Sequence, residues 1–133
     1  MKLPVDAQGL TEETSVAIAQ NIQWATVTLP CGEIATSYVV QGEVNEDENP
    51  FLLLHGFDSS LFEFRRLVPL LAQQRRVYAV DLAGFGFCDR TSDCFQTKKP
   101  TDTVNPDLIR QQLVGFLDQV IDGPVSVVGA SMG

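Results

Sequence analysis

Ser131 has the surroundings of a reactive side chain. It stands in Gly129-Ala130-Ser131-Met132-Gly133, directly after the apolar run Val125-Ser126-Val127-Val128. A short buried strand running into Gly-x-Ser-x-Gly lifts a serine onto a sharp turn, with its hydroxyl exposed as a nucleophile. Glycines at the two flanking positions keep Cβ atoms out of the way and tolerate a strained backbone. A helix beginning after such a serine would favour negative charge beside it.

Two further segments place polar side chains after short apolar runs. Phe51-Leu52-Leu53-Leu54 leads into His55-Gly56-Phe57, and Val77-Tyr78-Ala79-Val80 leads into Asp81-Leu82-Ala83-Gly84-Phe85-Gly86. The Gly84-x-Gly86 pair is the start of a dinucleotide fingerprint. The third position, however, is Asp89, and no helix follows at once, so no nucleotide cofactor is expected. His55 is the only histidine, and Cys31, Cys88 and Cys94 lack a CxxC spacing, so no metal site is expected. The cysteines are expected as free thiols in a reducing cytosol, with a Cys88–Cys94 link inside one loop as the alternative.

The elements that must position these residues follow from periodicity and punctuation. Thr11 to Gln20 reads as a short helix capped by Thr11. Gln23 to Leu29 and Ile34 to Gln41 read as a hairpin around Pro30-Cys31-Gly32. The four-residue run Phe51 to Leu54 suits a central strand buried on both faces. Ser60 and Glu63 form a capping box for a helix carrying Phe64, Leu67, Val68 and Leu71, which Pro69 must kink or interrupt. Val77 to Val80 is the next strand, and residues 82 to 105 form a long loop. Asn105 caps the next helix, with Pro106 in its first turn and a stripe of Ile109, Leu113, Phe116, Leu117 and Val120. Asp122-Gly123-Pro124 stops it, and Val125 to Val128 is the last strand. Residues 1–22 read as an N-terminal extension, and 23–133 as the first strands and helices of one partial domain.

Alternating short apolar strands and amphipathic helices predict an α/β fold, a three-layer α/β/α sandwich on a mainly parallel sheet. Ligands bind such sheets at the carboxyl ends of the strands, where the loops at His55, Gly84 and Ser131 converge. Composition limits the partners. The 133 residues are 44% hydrophobic and 20% charged, with a net charge of −8. That is globular material, and the charge argues against nucleic acid and anionic membrane surfaces. Lys98-Lys99 is the only lysine pair and reads as a solvated loop. No apolar stretch approaches the ~20 residues of a membrane span. Met1 to Asp6 has no apolar signal core, so a cytoplasmic location is expected.

Leu54-His55-Gly56-Phe57, Asp81 to Gly86 and Gly129 to Gly133, in that order and spacing, resemble the N-terminal half of the α/β-hydrolase superfamily, from about Trp24 onward. Their look is that of small serine esterases, lactonases and C–C-bond hydrolases. The resemblance implies Ser131 as nucleophile and the backbone N–H groups of Phe57 and Met132 as an oxyanion hole. Each such donor lowers the barrier by about 3–4 kcal/mol. It implies supporting roles for His55, Gly56, Gly129 and Gly133, and a structural role for Asp81, bonding loop backbone. Neither His55 nor Asp81 fits the triad, whose chain order is Ser, acid, His. The acid and catalytic histidine are therefore expected beyond this chain, in a complementary C-terminal portion, with the chain alone inactive. Dehalogenases and epoxide hydrolases of this fold carry Asp at the elbow, so Ser131 points to acyl chemistry on a small-molecule ester, lactone or thioester, or to C–C cleavage. The alternative is a non-catalytic half-domain or pseudoenzyme acting as a binding module.

Overall fold

The computed structural model describes residue 3 and residues 9–95 and 105–133. Lys98-Lys99, the stretch 96–104 of the long loop, and most of Met1 to Asp6 lie outside the described residues.

Five strands form one sheet in the order β1-β2-β4-β3-β5: β1 Gln23–Leu29, β2 Gly32–Gln41, β3 Phe51–Leu54, β4 Val77–Val80 and β5 Ser126–Gly129. The expected hairpin is present, with Leu29 paired to Gly32 across the turn. β2 runs antiparallel to both β1 and β4, whereas β4, β3 and β5 are parallel. Four strands thus point one way and only β2 is reversed. The carboxyl ends of β3, β4 and β5 share one edge.

Helices cover both faces. On one side α1 Glu13–Asn21 and α2 Leu67–Leu71 close a core of Ile18, Val39, Leu53, Phe64, Val68 and Val77. On the other, α3 Pro106–Phe116 packs on Val27, Ile34, Leu52, Tyr78 and Val80. Leu52 and Leu53, adjacent in β3, face opposite cores and are both fully buried, as a two-faced central strand requires. Among the described residues no helix is long and apolar enough to cross a membrane.

Several local expectations are corrected. The first residue before α1 is Glu12, with no side-chain cap; Thr11 does not cap the helix. The single helix expected from Ser60 is two pieces, a 3-10 turn Leu61–Phe64 and α2, broken at Arg65-Arg66. Pro69 is the third residue of α2, where a missing N–H costs little. The expected capping box does not form. Ser60 Oγ accepts from Phe62 N–H at 3.3 Å, while Glu63 turns away to Gly56. The long loop contains a 3-10 turn, Asp93–Phe95.

α3 starts as read, with Asn105 Oδ1 accepting from Leu108 N–H at 3.1 Å and Pro106 first. Its stripe packs on the core, with Phe116 fully buried and Ile109, Leu113, Leu117 and Val120 partly so; the line the sequence reading left out, Leu108, Gln112 and Gly115, is buried as well. A Cβ on Gly115 would come within 2.6 Å of Val27 Cγ1, so the helix seats this line against β1. It runs into a π turn, Leu117–Ile121, and ends at Asp122 in the left-handed region (φ 54°).

Cys31 and Cys94 are joined in a disulfide, with Cα atoms 5.0 Å apart, and only Cys88 is a free thiol. This replaces both cysteine expectations. The partners are separated by 63 residues, and only the docking of the Asp93–Phe95 turn beside β2 brings them together. Bridges of this kind typically stabilise by about 2–4 kcal/mol. Cys31→Ser should therefore lower the thermal midpoint by roughly ten degrees. An unchanged midpoint, or one equally lowered by reductant in wild type and variant, would deny the bridge that role.

α1 is held by charge. Glu12 receives Arg65 Nε and Arg66 Nε, each at 2.9 Å, and the Thr14 hydroxyl at 2.8 Å. Arg65, then Thr14 and Arg66, hold its carboxyl down from 4.5 to about 2. Between those values the folded chain binds fewer protons than the unfolded one. The contribution to stability is thus full above about pH 4.5 and lost as pH falls towards 2. The stability difference between wild type and Glu12→Gln should close across that window, and salt should shrink it at neutral pH. A difference that persists at pH 2 would contradict the tether.

Candidate active site

β3 delivers His55 into the fold with its side chain fully buried. Leu82 N–H donates to Nε2 at 3.0 Å, which makes that nitrogen an acceptor. The proton is thereby assigned to Nδ1, which donates to the Gly56 carbonyl at 2.7 Å. Asp81 Oδ1 lies 3.9 Å from Nε2. A nitrogen that accepts from Leu82 has no proton to share, so we read this contact as proximity and not as an ion pair. Both ring nitrogens are committed to backbone, tying the loop after β3 to the loop after β4.

Asp81, at the end of β4, is equally buried. Its carboxylate accepts from the Ser37 hydroxyl at 2.5 Å, from Leu61 N–H at 2.8 Å and from Phe87 N–H at 2.9 Å. Burial pushes this carboxyl up, and the three donors pull against it. One side chain thus holds β2, the Leu61–Phe64 turn and the loop after β4. Cys88 Sγ donates to the Asp81 carbonyl at 3.1 Å. Burial, and next the Asp81 charge, push this thiol up to about 11, which suits packing and not nucleophilic attack.

Gln112 completes the network, and sequence reasoning missed it. Its Oε1 accepts from Ala83 N–H at 2.7 Å, while Nε2 donates to the Asp81 carbonyl and to Thr36 Oγ1, each at 3.1 Å. The available signal was its position, midway between Leu108 and Phe116 at four-residue spacing.

Ser131 sits in a tight turn at the carboxyl end of β5, exposed, with φ of 55°. A left-handed serine is costly, by roughly 1–3 kcal/mol, and persists where the surroundings over-determine it. Here Ala130 N–H donates to the Leu54 carbonyl and Gly133 N–H to the Ala130 carbonyl, each at 3.0 Å. A Cβ at Gly133 would overlap the Leu54 carbonyl, and one at Gly129 would overlap Gly133. The flanking glycines are thus required by close approach. Gly56 also lies close to the serine: a Cβ there would be 3.2 Å from Ser131 Cβ and 3.7 Å from Ser131 Oγ.

Phe57 follows Gly56 in a turn closed by left-handed Asp58 (φ 52°). The residue is 59% exposed, and its ring stands edge-on to Phe85, which itself stands edge-on to His55. Neither the Phe57 nor the Met132 amide donates to an acceptor among the described residues. Ser131, Gly56, Phe57 and Met132 therefore meet at one edge of the sheet. His55 and Asp81 lie beneath them as supports. Phe85 joins the same edge through its ring contact with Phe57. Among the described residues no group of three or more His, Cys, Asp or Glu is arranged to hold a metal ion.

The sequence profile of the alpha/beta hydrolase family matches residues 51–133. The chain is 32% identical over 136 residues to the alpha/beta hydrolase domain-containing protein VTE7 of Arabidopsis thaliana, covering 98% of this chain and 39% of that protein. It is 33% identical over 106 residues to the 2-hydroxy-6-oxo-6-(2'-aminophenyl)hexa-2,4-dienoic acid hydrolase of Metapseudomonas resinovorans, covering 77% and 32% respectively. The chain thus spans about a third of the length of these curated relatives. Among solved structures, the epoxide hydrolase VrEH1 of Vigna radiata superposes with a TM-score of 0.63 at 22% identity, over 86% of this chain and 33% of that one. Cfl2 of Burkholderia cenocepacia gives a TM-score of 0.63 at 25% identity, over 84% and 33%.

Proposed function

This chain belongs to the alpha/beta hydrolase family, and on that premise we propose that it carries the nucleophile and oxyanion hole of a serine hydrolase acting on small acyl substrates. The observation that carries the reading is the left-handed Ser131 set against Gly56, with the neighbouring Phe57 and Met132 amides donating to no acceptor among the described residues. Ser131 Oγ attacks the acyl carbonyl, and the developing oxyanion accepts from the two amides. Serine rather than aspartate at the elbow favours an acyl-enzyme over displacement of halide or opening of an epoxide. Carboxylic esters, lactones, thioesters and the C–C bonds of diketones all suit that step.

The proton of Ser131 needs a base, and His55 has no free nitrogen. The triad acid and histidine are therefore assigned to a complementary portion of the same protein outside these 133 residues, and the chain alone is expected to be inactive. The test is turnover of a p-nitrophenyl ester by the intact protein and its Ser131→Ala variant. Loss in the variant supports the reading. Equal turnover removes Ser131 from the chemistry and favours a binding role for this chain.

A further inference from the structure

Gly56 is the residue on which the direction of one oxyanion donor depends. In a trans peptide the N–H of Phe57 points opposite to the carbonyl of Gly56. Whatever holds that carbonyl aims the donor, and His55 Nδ1 holds it at 2.7 Å. One hydrogen bond pins the oxygen but leaves its peptide plane able to swing about that contact. The plane before it, carrying the Gly56 N–H, turns freely about a residue that has no Cβ to restrict it. That N–H is held at 3.0 Å by Glu63 Oε2, from seven residues ahead. With both planes held, Gly56 has one backbone conformation, and the Phe57 amide one direction.

Glu63 is itself well placed for this. It lies in the Leu61–Phe64 turn, whose first N–H is anchored on the buried Asp81 and whose Ser60 cap closes on Phe62. The carboxylate that the sequence pattern assigns to a helix cap is thereby released to reach the loop.

We propose that Glu63 is a positioning residue for the oxyanion hole: it holds the Gly56 amide so that the Phe57 amide points at the developing oxyanion. The role rests on the serine-hydrolase reading and goes beyond it. It requires an acceptor at the right reach and does not require charge. A negative charge near the hole works against an oxyanion, so the useful property of Glu63 is its length and its lone pairs.

The experiment crosses those two properties in the intact protein, with p-nitrophenyl ester kinetics and thermal midpoints. Glu63→Gln keeps reach and acceptor and drops the charge. Glu63→Asp keeps the charge and shortens the reach by one methylene. Full loss of an oxyanion donor costs about 10²–10³ in kcat, so a misaimed one should cost roughly tenfold. Glu63→Ala and Glu63→Asp should each lose about tenfold in kcat with KM within twofold, whereas Glu63→Gln should stay within about threefold of wild type. A loss confined to KM, a Gln variant as poor as Ala, or an Asp variant as good as wild type overturns the proposal. Ser131→Ala, assayed alongside, separates the two failures. Turnover that survives it sinks the serine reading and this role with it. Turnover that dies with Ser131 yet is untouched by Glu63→Ala sinks this role alone.

Discussion

Replacing Ser131 by alanine should lower ester turnover by about 10⁶-fold, to a residue near the acceleration that binding and an oxyanion hole provide without a nucleophile. The size follows from the chemistry. Without Oγ no acyl-enzyme forms, and the remaining path is direct attack by water on a bound ester. The substitution adds no bulk and leaves the hydrogen bonds that set the turn, those of Ala130 and Gly133, in place. Folding should be unharmed, so an unchanged thermal midpoint must accompany the loss. A loss below a hundredfold would mean that another group carries the reaction.

Asp81→Ala should be the most damaging single change to the fold near the site. It strands the Leu61 and Phe87 amides and the Ser37 hydroxyl, all of which donate to that one carboxylate. Each stranded donor costs about 1–3 kcal/mol, and the Ser37 hydroxyl can turn elsewhere, so the total is about 3–5 kcal/mol. For a domain of this size that is a fall of well over ten degrees in thermal midpoint. Asp81→Asn is a graded control. Its oxygen can still accept from Leu61, and Ser37 can accept from the new amide, so only Phe87 is stranded, at about 1–2 kcal/mol. The order wild type, Asn, Ala in urea or thermal unfolding is the expected result. Equal stability of the two variants would show that the carboxylate network is not what holds these loops.

Strands and their succession along the chain were legible because each is a short apolar run closed by glycine, proline or a polar residue. Phe51–Leu54 and Val77–Val80 emerge with the predicted bounds, and β5 is displaced by one residue because its pairing begins at Ser126 opposite Phe51. The convergence of three loops followed from the parallel order alone. What was not legible depends on partners far apart in the chain. Cys31 finds Cys94, Gln112 finds Ala83 and Asp81, and Glu12 finds Arg65, all through tertiary approach. Local signals then lose to it. Glu63 has the spacing of a capping box but a stronger claim from the Gly56 amide, and α3 buries Gly115 beside its apolar stripe because a residue without a Cβ lets Val27 come close.

The most direct measurement is to treat the intact protein with a fluorophosphonate and locate the adduct by tandem mass spectrometry. A single adduct on Ser131, formed faster than hydrolysis of the probe and absent from Ser131→Ala, is the predicted result. An adduct on any other residue, or an active protein that the probe does not modify, would contradict the assignment of Ser131 as nucleophile.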